Sequence, residues 1–246
     1  MSTAPTPSEP APMNPIARLF NIFLEPRATY DDIVRRPGWL IPVLLFTALN
    51  IVFMVAFTQR VGWERFMEQQ FAKSPRTADM PPEQRARALQ QAATFSKYMG
   101  YGGAVLGSVI VVAIVGGVFL LAFNTIGGAG TNYNTSLAIV AHAYMPNVIA
   151  GILAFVILYL KDPAEYDLEN PVGSNVAAFL PSDAPRWLDS LGRSIDLFSI
   201  WILFLLATGF VAASPKKLSL GKSLGIVIGV WAVYVVVKVG LAAAFS

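Results

Sequence analysis

Cysteine is absent from the 246 residues, histidine occurs once, and charged residues make up only 13%. The first absence excludes disulfides, thiolate metal sites and cysteine nucleophiles together. The second leaves at most one imidazole, a poor start for a metal site. The third bears on the class of protein. Soluble domains carry about a quarter charged residues, whereas this chain is 55% hydrophobic with a mean hydropathy of +0.56. That is a membrane composition. The net charge of +3 and pI near 9.2 fit basic residues beside membrane spans, where they face anionic lipid. No nucleic-acid partner is expected.

What is present is a set of long apolar runs. A membrane helix needs about 20 mostly apolar residues, because helical rise is about 1.5 Å and the hydrocarbon core about 30 Å thick. Five stretches qualify: 38–57, 101–124, 137–160, 197–213 and 223–245. The fold class that follows is all-α, a polytopic integral membrane protein with five transmembrane helices. The fourth run is the shortest, and the first carries Pro42.

The opening residues 1–13, "MSTAPTPSEPAPM", are rich in Pro, Ser and Thr and read as a disordered tail, not a signal peptide. The membrane domain then covers 14–246. In "NPIARLFNIFLEP", Asn14 is placed to cap and Pro15 suits the first helical position. Ile16, Leu19, Phe20, Phe23 and Leu24 follow at spacings of three and four. That stripe predicts an amphipathic helix lying either in the headgroup region or on the protein's own spans. "TYDDIVRRP" reads as a second short helix with Thr29 as cap, Asp31 and Asp32 in its first turn, and a stop at Pro37.

Between spans one and two, "MPPEQRARALQQAATFSKY" predicts a solvated helix of its own. The 161–194 connection is acidic, and "SPKKLSLGK" between spans four and five is short and basic. Seven basic residues fall on the amino-terminal side and ten on the other. Arg35, Arg36, Lys216, Lys217 and Lys222 crowd the span ends, however, where the positive-inside rule operates. The reading is a cytoplasmic amino terminus.

Several polar residues fall inside the spans. Asp196 lies 21 residues before the turn at 217 and Lys238 lies 21 after it, so the two share a depth. Either they pair, or Lys238 reaches the interface alone. Asn50 and Asn147 both lie near the midplane, as interhelical glue or as the lining of a small-molecule path. His142 and Asn124 sit near the amino-terminal side, with no adjacent nucleophile or carboxylate. Neither a catalytic set nor a cofactor is expected.

Glycines recur at helix-contact spacing: Gly103 with Gly107, and Gly221, Gly225 and Gly229 in series. Such pairs let backbones approach closely, within this chain or with another. Gly127, Gly128 and Gly130 form a different group. With Tyr133 where a third glycine would stand and no preceding strand, "IGGAGTNY" is not a dinucleotide loop. These glycines read as a hinge between spans, and Pro146 as a kink.

Three stretches together resemble the Yip (Ypt/Rab-interacting protein) domain family in its bacterial branch. They are "FLEPRATYDDIVRRPGWLIPVL" (23–44), "IGGAGTNYNTSLAIVAHAYMP" (126–146) and "SIDLFSIWILFLLATGF" (194–210). The resemblance implies a five-span bundle with a cytoplasmic amino terminus. For eukaryotic relatives it implies binding of small GTPases in vesicle traffic. The longer amino-terminal region used there and an Asp-Leu-Tyr-Gly-Pro element have no counterpart here. For bacterial relatives it implies no established reaction. The expectation is a non-enzymatic scaffold or interaction protein of the bacterial cytoplasmic membrane, its partners the lipid bilayer and a second copy or another membrane protein. The alternative is a small-molecule or ion transporter or channel with a midplane polar site.

Overall fold

The computed structural model describes residues 11–72, 77, 80–181 and 183–244. Most of the expected tail, residues 1–10, and the last residue of the expected fifth span lie outside that set.

Asn14 caps α1 (Pro15–Leu24) by accepting from the Ile16 amide at 2.8 Å, and proline opens the helix as expected. Both readings of its stripe hold, on opposite sides. Leu19 and Ile22 are buried against the bundle, whereas Ile16, Phe20 and Leu24 are exposed. α2 (Pro26–Arg35) starts earlier than Thr29. Thr29 is therefore not a cap. Its hydroxyl donates back to the Glu25 carbonyl at 2.8 Å, and Asp32 falls mid-helix.

The spans follow. α3 is Leu40–Arg60, with Pro42 in its first turn, where the missing amide costs no helical bond and causes no kink. α4 (Trp63–Ala72) turns back along α5, and α5 runs unbroken over Pro82–Thr125. The expected solvated helix and second span are thus one 44-residue rod. Nothing between them stops a helix. Gly100 sits over the Trp63 ring, so close that a Cβ would collide with it, and Gly102 and Gly103 stay helical.

The third span is broken. α6 (Tyr133–Ala143), capped by Asn132, ends at Tyr144, and α7 (Pro146–Leu160) begins at the proline expected to bend it. α8 (Arg186–Ser194), α9 (Leu197–Ala213) and α10 (Leu220–Ala244) complete the order, after a 310 turn at Val176–Phe179.

Among the described residues four helices are long and apolar enough to cross a membrane: Leu40–Arg60, Pro82–Thr125, Tyr133–Leu160 across its break, and Leu220–Ala244. The expected fourth span, α9, is apolar but only 17 residues, about 25 Å. Its position accounts for this. α9 is the central helix, touching α2, α6, α7 and α10, and residues 205–210 are all buried in protein.

The core lies on the side where α2 and the turns at 126–132 and 214–219 gather. Phe123 and Phe210 stack at 3.9 Å there, with Phe119 beside them. Serines join the helices. Ser136 donates to the Gly116 carbonyl at 2.7 Å and Ser223 to the Ala207 carbonyl at 2.8 Å, both buried. Such interhelical bonds are worth roughly 0.6 kcal/mol in membranes.

Candidate functional site

The opposite half of the bundle is open. A cleft of about 1890 Å³ runs from Asn50, Ser108 and Asn147 in the spans to Arg193 and Lys238 beneath the 167–190 segment. α3, α5, α7, α9 and α10 each contribute to its walls. It reaches Tyr144 and Asn147, where the third span breaks; on α6, Ile139 and His142 are buried.

Asn50 and Asn147 share this cleft but do not bond to each other. Asn50 donates to the Ser108 hydroxyl at 3.2 Å. Asn147 is exposed, and among the described residues its side-chain amide has no partner. Asn50 thus joins α3 to α5, as the glue reading has it, while among the described residues Asn147 joins no helix.

Asp196 and Lys238 both line the cleft, yet the expected ion pair does not form. Asp196 begins α9, and its carboxylate accepts from the amides of Phe198 at 2.9 Å and Ser199 at 3.1 Å and from the Ser174 hydroxyl. An aspartate just before a helix satisfies orphan amides, and that local demand wins. Lys238 instead donates to the Ser194 hydroxyl at 3.0 Å and the Ser190 carbonyl at 3.3 Å.

Arg193, at the rim, holds three carboxylates: Asp189 at 2.7 Å, Asp167 at 3.5 Å and Glu169 at 3.7 Å. The fold thus ties much of the acidic 161–194 connection to one cation. Nearby, burial and the Asp167 charge push the Tyr166 phenol up to about 12.

The glycine turn at the other end is clasped rather than loose. Asn124 accepts from the Thr131 amide and donates to the Thr131 carbonyl, both at 2.9 Å. The Lys222 ammonium donates to the Gly127 carbonyl at 3.1 Å. Gly128 and Gly130 have φ of +67° and +69°, which explains the residue type. His142 is enclosed in the packed half, its Nδ1 2.8 Å from the Ala138 carbonyl.

The repeated glycines do not pack helices inside this chain. A Cβ built on Gly103, Gly107, Gly221, Gly225 or Gly229 would meet nothing within 4 Å. Close approaches occur at glycines that the spacing did not mark. A Cβ on Gly209 would lie 2.5 Å from Ile139 and 2.8 Å from Tyr30, and one on Gly116 would lie 2.9 Å from Leu137.

Sequence reasoning also missed a buried ion pair. Arg18 meets Asp32 at 2.7 Å, less than a tenth of either side chain exposed, and donates to the Arg36 carbonyl at 3.0 Å. The available signal was an arginine three and four residues before Asn21 and Ile22, within the stripe that turns inward.

The helix order, the apolar lengths and the buried polar joints define an α-helical polytopic membrane protein. Its core joins the three stretches singled out in the sequence, Tyr30 from the first, Ile139 from the second and Gly209 from the third. The match to a known domain is nearly chain-long: residues 20–241 match the Yip1 domain, and the chain belongs to that family. It is similar to membrane protein YknW of Bacillus subtilis (strain 168), 26% identical over 193 residues, which cover 78% of this chain and 76% of that protein. No solved structure matches it.

Proposed function

We propose that the protein is a non-enzymatic interaction or scaffold protein of the bacterial cytoplasmic membrane. The observation that carries the reading is the outward setting of its helical glycines. Glycine inside a helix costs about 1 kcal/mol relative to alanine, and at Gly103, Gly107, Gly225 and Gly229 no contact within the chain offsets that cost. Membrane helices associate through such small-residue faces. A shallow groove of about 360 Å³ runs along Gly225 and Gly229 between Ile126 and Val233, of a shape to take a neighbouring helix.

The amino terminus is cytoplasmic in this reading. Arg35, Arg36, Lys216, Lys217 and Lys222 flank span ends on the α2 side. Because the chain has no cysteine, a single Ser219→Cys variant carries a unique thiol; labelling by an impermeant reagent in intact cells would overturn this orientation.

The interaction reading is tested by crosslinked pulldown from native membranes, wild type beside Gly225→Leu, Gly229→Leu. A specific partner or self-association lost in the variant supports it. Recovery of both proteins alone and equally folded would sink it.

A second reading, small-molecule transport, has the cleft in its favour. The burial of Ile139 and His142 next to Tyr144 favours a binding cleft over an open pore within this reading. Flux into vesicles containing the purified protein, abolished by Asn50→Leu with Asn147→Leu, would establish it in place of the scaffold reading.

A further inference from the structure

Of the helical glycines that carry the interaction reading only Gly107 lines the cleft, and the cleft has a chemistry of its own. Its volume of about 1890 Å³ exceeds the roughly 300–1,000 Å³ typical of small-molecule pockets. A long occupant fits that volume.

The walls are graded. Phe46, Phe53 and Val111 make the deeper part apolar, and the rim carries charges of both signs. Five carboxylates line the cleft (Asp167, Glu169, Asp183, Asp189 and Asp196) against the cations Arg186, Arg193 and Lys238.

The cations are not alike. Arg193 is surrounded by three carboxylates, whereas among the described residues Lys238 meets a carbonyl and a hydroxyl. An ammonium has three donors, and two are used. Counted by helical rise from the α2 side, Asn147, Ser108 and Lys238 lie about 21, 25 and 27 Å along their helices. Asn147 thus lies deeper than Lys238, which meets Ser190 and Ser194 on α8 beside the carboxylate-rich rim.

We propose that the cleft binds one zwitterionic phospholipid bearing a primary amine. Its phosphate takes the remaining donor of Lys238, its ammonium faces the rim carboxylates, and an ester carbonyl accepts from the Asn147 amide. The acyl chains lie along Phe46, Phe53 and Val111. A charge-assisted bond between a phosphate and an ammonium is the stronger kind. The carboxylate excess disfavours a purely anionic headgroup, and a trimethylated headgroup offers those carboxylates no N–H.

The test is native mass spectrometry of the full chain after equilibration in mixed micelles holding equal amounts of phosphatidylethanolamine, phosphatidylcholine and phosphatidylglycerol. The expected result is one phosphatidylethanolamine retained per chain. Lys238→Gln and Asn147→Leu each reduce its retention about tenfold, equivalent to about 1.4 kcal/mol, while Gly225→Leu retains it as wild type does. Asn147 makes no side-chain bond within the described chain, so its variant keeps the test meaningful if Lys238→Gln misfolds. Retention of all three lipids alike, of none, or of phosphatidylglycerol in preference would overturn the proposal, as would retention that neither cleft variant changes. A pulldown that failed through Gly225 and Gly229 would leave these outcomes untouched, so the two readings fail separately.

Discussion

Arg18 and Asp32 are joined at 2.7 Å across the turn between α1 and α2, with almost no solvent reaching either group. The arrangement ties the interfacial helix to the bundle. The Arg36 carbonyl and the Met13 amide, at 3.0 and 3.3 Å, join the network, and the half-exposed Arg35 lies 3.9 Å from Asp32, a weaker partner than Arg18. Removing one member of such a buried pair costs roughly 3–5 kcal/mol, because the other charge is left without a partner in a dry place. Arg18→Met should therefore lower the melting temperature in detergent sharply. Arg18→Met with Asp32→Leu should recover much of the loss. Circular dichroism on the three proteins decides it, and equal losses in the single and double variants would refute the pairing argument.

Gly209 and Gly225 predict opposite outcomes for the same substitution. A methyl group on Gly209 runs into Ile139 and the Tyr30 ring, where the helices have no slack, so Gly209→Ala should destabilise by about 1–3 kcal/mol. At Gly225 the space is open, and Gly225→Ala should hold or raise stability by up to about 1 kcal/mol through helix propensity. Thermal unfolding of the two variants side by side is the check.

The Tyr30 hydroxyl is fully buried and, among the described residues, has no hydrogen-bond partner. Burial alone pushes its phenol well above the ordinary range. A buried hydroxyl without a partner costs about 1–3 kcal/mol. Tyr30→Phe keeps the ring that packs on Gly209 and should leave the melting temperature unchanged or higher. A drop would mean that the hydroxyl serves the fold in a way the packing does not reveal.

Tyr166 gives the fold an alkaline limit. The unfolded chain ionises this phenol near pH 10, while the folded chain holds its proton to about 12. Ionisation therefore favours unfolding progressively through that window, and below it the contribution is constant. Stability measured from neutral to strongly alkaline pH should decline less steeply in Tyr166→Phe than in wild type.

Much of the fold was legible because membrane spans are written in length and hydropathy, and Asn14 and Pro146 act within a few residues of themselves. The joints were less so. Gly209 and Gly225 look alike in sequence, and only the arrangement of α2, α6 and α9 makes one a contact and leaves the other open. Asp196 and Lys238 matched in depth, but depth says nothing of rotation about the helix axis, and a helix start made the nearer demand on the aspartate. Arg18 found Asp32 across a turn whose geometry no spacing rule describes. The midplane asparagines were visible as polar groups that either join helices or line a path; that Asn50 would do the first with Ser108 while both line one cleft was not.

The continuity of α5 has a mechanical consequence. At 44 residues it is about 66 Å long, more than twice the thickness of the hydrocarbon it crosses. One end carries α4, held by Trp63 under Gly100; the other ends at the turn fastened by Asn124 and Lys222. With no break between them, a tilt imposed on the outer arm is delivered to the far leaflet as a lever delivers it. The same unbroken helix helps to wall the cleft, so arm and cleft wall are one rigid piece.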